Sequence, residues 1–181
     1  MSEFEAFAKI PRLKRGCVIT EKIDGTNAQI LIDDDPAVPM LIGSRSRWIT
    51  PGKTTDNHGF AAWAAEHEAE LRTLGPGRHF GEWWGAGIQR RYGLDHKRFS
   101  LFNVGRWKDA ALPACVGLVP TLYEGVFTDA AVEECLARLA RDGSVAAHGF
   151  MQPEGIVVFH SASRALYKVT LGDDGHKGSE L

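Results

Sequence analysis

The sequence predicts an α+β fold of mainly antiparallel strands, and three observations carry that expectation. Eight short β-type runs are bounded by turn residues, whereas only two stretches show helical periodicity. The 181 residues, 44% of them hydrophobic, suit one compact domain spanning 1–181, with a core of its own and no second full domain. In chain order the strands are expected at 17–22, 28–32, 40–46, 79–84, 98–104, 121–127, 155–159 and 165–170. The first helix is expected over about 60–71, where Phe60, Trp63, Ala64, His67 and Leu71 share a face before Gly75-Pro76 stops it. The second begins at a Thr128 cap, carries the stripe Val132, Cys135, Leu136 and Leu139, and ends at Gly143. No repeat or low-complexity tract interrupts these elements, and the stretch from Gly172 to Leu181 reads as a frayed tail.

Composition excludes several functions. Lys and Arg total 21 against 23 Asp and Glu, so the formal net charge of -2 rules out a chain-wide polybasic surface, and any nucleic-acid contact must be local. Cys17, Cys115 and Cys135 form no CxxC pair and are expected as reduced thiols, which fits a cytoplasmic setting. Glu3 and Glu5 stand where a signal peptide would be basic, and no apolar run approaches the roughly 18 residues of a membrane span. Pro51-Gly52-Lys53-Thr54 lacks the first glycine of a phosphate-binding loop, because position 47 is Arg. The histidines are dispersed without metal-ligand spacing. Trp83 and Trp84 are adjacent on a strand, so one is expected in the core and the other beside a cleft.

The most informative stretch is Thr20-Glu21-Lys22-Ile23-Asp24-Gly25-Thr26-Asn27, which sets a lysine at a strand end before a tight turn. An ordinary hairpin also uses Asp-Gly, so this segment alone leaves both readings open. Further segments follow in order, each an acidic or basic residue inside an otherwise apolar strand, a costly placement unless the charge is used. They are Gly43-Ser44-Arg45-Ser46-Arg47, Phe80-Gly81-Glu82-Trp83-Trp84-Gly85, Phe99-Ser100-Leu101-Phe102-Asn103, Glu154-Gly155-Ile156-Val157-Val158 and Tyr167-Lys168-Val169-Thr170.

Together these segments resemble the motifs of the covalent nucleotidyltransferase superfamily of ligases and capping enzymes, most closely its ATP-dependent RNA ligase branch, which includes the kinetoplastid editing ligases. The resemblance runs from Lys22 to Lys168 and implies a ligase adenylation domain: two mainly antiparallel sheets flanked by helices, with nucleotide held between them. It implies that Lys22 is the nucleophile and receives AMP from ATP, that Arg45 positions the nucleotide, and that Glu82 holds the ribose. Phe102 would stack on adenine, Glu21 would accept a hydrogen bond from its amino group, and Asp24, Gly25 and Asn27 would shape the turn. Glu154, together with Glu82, would hold Mg²⁺ or Mn²⁺, and Lys168 would act at the phosphates. The chemistry accounts for such a set, because attack on phosphorus needs a neutral amine while a free lysine has a pKa of about 10.4. Lys168, Arg45 and a metal supply the neighbouring cations that favour the neutral form.

The implied substrate is RNA with 5′-phosphate and 3′-hydroxyl ends, and no membrane is involved. Gln89-Arg90-Arg91-Tyr92 reads equally as a phosphate-holding segment or a solvated loop. Thr170 stands where the family usually has a second lysine, with Lys177 too far along to replace it, and Asn103 stands where aspartate is common. Few residues follow Lys168, so no C-terminal OB-fold or helical domain is expected, and substrate grip falls to the core's own surface, a homodimer or a separate protein. ATP-dependent sealing of DNA nicks and a nucleotide-binding module without catalysis are the competing readings, with a GTP-using capping enzyme behind them.

Overall fold

A computed structural model describes residues 3–172. The expected tail beyond Gly172, and Lys177 with it, lies outside the described residues. The strands are β1 (Gly16–Lys22), β2 (Thr26–Ile32), β3 (Leu41–Ser44), β4 (Gly77–Gly85), β5 (Lys97–Leu101), β6 (Val116–Leu118), β7 (Thr121–Val126), β8 (Gly155–His160) and β9 (Ala165–Thr170). The helices are α1 (Phe60–Glu66), α2 (Glu68–Leu71), α3 (Val104–Trp107) and α4 (Asp129–Asp142). One sheet has the order β7-β1-β8-β9 and the other β3-β2-β4-β5-β6. Every ladder is antiparallel except that between β5 and β6. The chain is therefore α+β with two mainly antiparallel sheets, as its strand-dominated pattern predicts.

Departures from expectation have local causes. The 98–104 run stops at Leu101 because Asn103 caps α3, its side chain accepting from the Arg106 N–H at 3.1 Å. The 60–71 helix breaks at His67, whose backbone leaves helical geometry while its Nδ1 lies 2.9 Å from the Trp63 carbonyl. Asp56 caps α1 from outside, its carboxylate accepting from the Ala61 and Ala62 N–H groups at 2.8 and 3.0 Å. Strand β6 has no sequence signature, since three residues including a glycine are too few to show alternation. The second helix is α4 as read: Thr128 accepts from the Ala131 N–H at 3.1 Å, and Gly143 follows its last turn with φ 82°.

Strand alternation decides which side chains each sheet turns toward its helices. Cys17, Ile19, Ile156 and Val158 pack with Cys135 and Leu139 of α4. Ala28, Ile30, Trp83, Phe99 and Leu101 pack with Phe60, Ala61, Ala64 and Leu71. Trp84 lies out of phase with Trp83 yet is equally buried, among Ile23, Tyr92 and Val104, and its indole donates to Ser100 Oγ at 2.9 Å. Neither tryptophan lines the cleft, contrary to expectation. The cysteines are free, and burial pushes the thiols of Cys17 and Cys135 up, as suits inert packing groups. Among the described residues no helix is long and apolar enough to cross a membrane.

Phe60 is fully buried, with its ring 5.0 to 5.6 Å from those of Trp63, Trp83 and Phe99. Phe60→Ala is expected to cost about 3–5 kcal/mol in urea unfolding, and Phe60→Leu clearly less, because the smaller cavity takes fewer packing contacts away.

Candidate active site

The strand residues that point away from the helices share one cavity of about 880 Å³. From the first sheet come Val18, Thr20 and Lys22, Val157 and Phe159, and Leu166 and Lys168; from the second come Asn27, Gln29, Arg78, Phe80 and Glu82. Lys22 ends β1 directly opposite Gly155 of β8, and this register brings Glu154 to the amine. Lys22 Nζ donates to Glu154 Oε1 at 2.5 Å. The other oxygen of Glu154 is buried and has no hydrogen-bond partner.

The turn after Lys22 is fixed from three sides. Glu82 accepts from the Gly25 N–H through one oxygen and from Asn27 Nδ2 through the other, both at 3.0 Å. Gly25 has no positive φ; its need for glycine is close approach, since a Cβ there would lie 2.5 Å from the Trp83 carbonyl oxygen and 2.7 Å from Trp84 Cβ. The Asp24 N–H donates to Tyr92 Oη at 2.7 Å, and Arg90 Nε donates to Asp24 Oδ2 at 2.9 Å. Arg90 also donates to the Gln152 carbonyl at 3.1 Å, tying the turn to the segment that carries Glu154. At Arg90 the basic stretch is thus not a free loop, since two nitrogens of its guanidinium are engaged within the protein. Its backbone is left-handed at Gln89, Arg91 and Tyr92, with φ of 42°, 60° and 52°. Such strain persists only where surrounding contacts enforce it.

Burial pushes the Glu82 carboxyl up to about 7, although the hydrogen bonds from Asn27 and Gly25 and the charge of Lys22 oppose that shift. Desolvation likewise raises the buried Tyr92 phenol, which therefore stays neutral. Glu21 has a different fate from its neighbour Lys22. It falls in phase with Ile19, is fully buried, and accepts from Ser144 Oγ at 2.5 Å and from the Val145 and Ala146 N–H groups at 2.8 and 2.9 Å. Its carboxylate binds the 144–146 loop, and the residue also lines the cavity.

Arg45, just beyond β3, and Phe102, just beyond β5 and 41% exposed, both line the cavity. Lys168 does so from β9, opposite Val157. Thr170 pairs with Gly155, two residues nearer the Lys22 end of the sheet. Asp24 and Gly25 shape the turn without lining the cavity. Among the described residues no group of three or more His, Cys, Asp or Glu gathers as a metal site. Glu154 still fits a cation that takes its other ligands from nucleotide phosphates, since its second oxygen is an orphaned buried acceptor. Both oxygens of Glu82 have donors already, so the expected metal role concentrates on Glu154. Sequence reading missed the bracing by Tyr92 and Ser144, and it missed Arg78, Arg106 and Arg164 on the cavity wall. Alternation of Arg78, Phe80 and Glu82 along β4 was the signal for the first of these cations.

Residues 15–170 match the family model described as RNA ligase. No curated protein matches the chain in sequence. Solved structures of Naegleria gruberi RNA ligase share the fold: a variant with ATP and Mn (TM-score 0.60, 18% identity), a variant with AMP and Mn (0.63, 20%) and the ligase with PPi (0.61, 18%). Each covers 87% of this chain and 50% of its own, so the chain spans about half the length of these structures.

Two stability measurements check the bracing. The fold holds the Glu82 proton more tightly than the unfolded chain does, so this residue's contribution is full below the usual carboxylate range and is lost as pH rises through about 7. Urea unfolding of wild type against Glu82→Gln should therefore show wild type losing ground between pH 4.5 and 8, by on the order of 3 kcal/mol. Tyr92→Phe should cost about 1–3 kcal/mol, because it leaves the Asp24 N–H without its acceptor.

Proposed function

The chain belongs to the RNA ligase family, and from that premise we propose that it joins RNA ends through a covalent lysyl-AMP intermediate formed at Lys22. The observation that carries this reading is convergence: Lys22, Arg45, Glu82 and Lys168 come from separate strands and loops of two sheets to line one cavity, with Glu154 against the amine.

In the first step the Lys22 amine, freed of its proton and of Glu154, attacks the α-phosphorus of ATP. A nitrogen–phosphorus bond forms, and the bond to the leaving pyrophosphate breaks. Glu154 would hold a divalent cation, Mg²⁺ or Mn²⁺, that neutralises charge on the phosphates. Lys168 and Arg45 face the same space and stabilise the charge that develops on the transferring phosphoryl group. Phe102 offers a ring for the adenine to stack on, and Glu82 keeps the turn closed while presenting its remaining lone pairs to a ribose hydroxyl. AMP then passes to an RNA 5′-phosphate, whose oxygen displaces Lys22. A 3′-hydroxyl finally attacks that phosphate, releasing AMP and sealing the strand. The Naegleria ligase structures contain ATP, AMP, Mn or PPi, the species this scheme requires.

Incubation with ATP labelled at the α-phosphate, followed by a denaturing gel, should label wild type and leave Lys22→Ala unlabelled. Lys168→Ala should lose on the order of a hundredfold in labelling rate. Labelled GTP should give no product. Folded wild type that binds ATP without becoming labelled would reduce the protein to a binding module, and faster sealing of nicked DNA than nicked RNA would move the substrate to DNA.

A further inference from the structure

Strand β4 sends a row of three side chains into the cleft: Glu82, which braces the nucleophile turn, then Phe80, then Arg78. Four residues separate Glu82 from Arg78, so the row extends roughly 13 Å from the reacting end. The Arg78 guanidinium lies 5.9 Å from the Phe80 ring centroid and 5.3 Å from that of Trp48, making a ladder of ring, cation and ring. Its hydrogen-bond partner is Gln29, a neutral side chain that holds the guanidinium in place and leaves its charge uncompensated. Trp48 and Phe80 are 47% and 52% exposed, and Phe159 in the opposite wall is 39% exposed.

Among the described residues, Arg78, Arg106, Arg164 and Lys168 in the cleft have no carboxylate partner. Arg164 occupies the turn between β8 and β9 with φ 55°, a conformation that glycine or asparagine adopts at lower cost. A chain of net charge -2 that gathers unpaired cations beside exposed rings in one groove is complementary to a flexible polyanion with stackable faces.

We infer that the outer half of the cleft, built on Arg78 and Phe80 with Trp48 beside them at its edge and faced by Phe159 and Arg164, is the platform for the single-stranded end of the RNA. The inference rests on the ligase chemistry proposed above. Bases stack on the exposed rings, and the backbone phosphates meet Arg78 and Arg164. Single-stranded RNA is favoured over duplex because only unpaired bases present their faces to Phe80 and Trp48.

Fluorescence anisotropy of a short labelled 5′-phosphorylated RNA on the full chain, without ATP, tests this across a salt series. Phe80→Ala should weaken binding roughly tenfold. Arg78→Ala and Arg164→Ala should each lower the slope of log affinity against log salt by about 0.7. Arg78→Lys should keep the slope and lose part of the affinity, since it retains charge without the planar stack. Arg141→Ala, a paired arginine on α4, should change nothing. These side chains are exposed, so melting temperatures should match wild type. Self-adenylation with labelled ATP in the same variants separates the two phosphate sources: unchanged labelling with weakened RNA binding supports the platform. Unchanged RNA affinity overturns it, as does a loss that falls on ATP use alone. Should wild type bind RNA through these residues yet fail to label with ATP, the platform stands and the ligase mechanism falls.

Discussion

Each of the two sheets is sealed by helices on one face, and the rest of the molecule depends on that constraint. A strand alternates its side chains, so burying Ile19, Ile156 and Val158 under α4 obliges Thr20, Lys22 and Val157 to face the other way. The same holds in the second sheet, where Trp83 enters the aromatic core and its neighbour Glu82 enters the cleft. A polar side chain on a cleft face is therefore directed at whatever lies between the sheets, at no cost to the cores behind it.

Precise placement of Lys22 comes from buried polar groups that are costly on their own. Glu21, Glu82 and Tyr92 are all removed from water, and each is matched to partners on a different part of the chain. Glu21 anchors β1 to the 144–146 loop, Glu82 closes the turn onto β4, and Tyr92 with Arg90 clamps Asp24. The consequence is a turn beside Lys22 that is braced from several parts of the chain and carried on strand ends, the kind of support that fixes a side chain's position closely. Burial of Glu82 illustrates the cost, because its ionisation opposes folding while its hydrogen bonds hold the site together.

Among the described residues, the cleft cations Arg78, Arg106, Arg164 and Lys168 have no carboxylate partner and face open space. A slightly acidic protein can in this way present a positive groove to phosphates, with the field focused between low-dielectric walls. Lys22 is the exception in the cleft. Its amine is paired with Glu154 at 2.5 Å.

The sequence by itself determined the fold class, the strand runs and the cap of α4, because alternation, turn residues and capping act over a few neighbouring positions. It also singled out the segments that carry Lys22, Glu82 and Lys168, and the two sheets bring these side chains to one cavity. Tertiary structure alone decided the fates that depend on distant partners. Glu21 turned into a brace because Ser144, more than a hundred residues away, meets it. Arg90 ties the turn at Asp24 to the Gln152 carbonyl, partners far away in the chain. Trp84 was buried because the 86–94 loop folds Tyr92 over it, ring centroids 5.1 Å apart. Gly25 is required by the nearness of β4, a contact between segments that no local pattern encodes. Short-range periodicity is written in the order of residues, whereas the choice of partner for a buried charge is settled only when separate segments pack against each other.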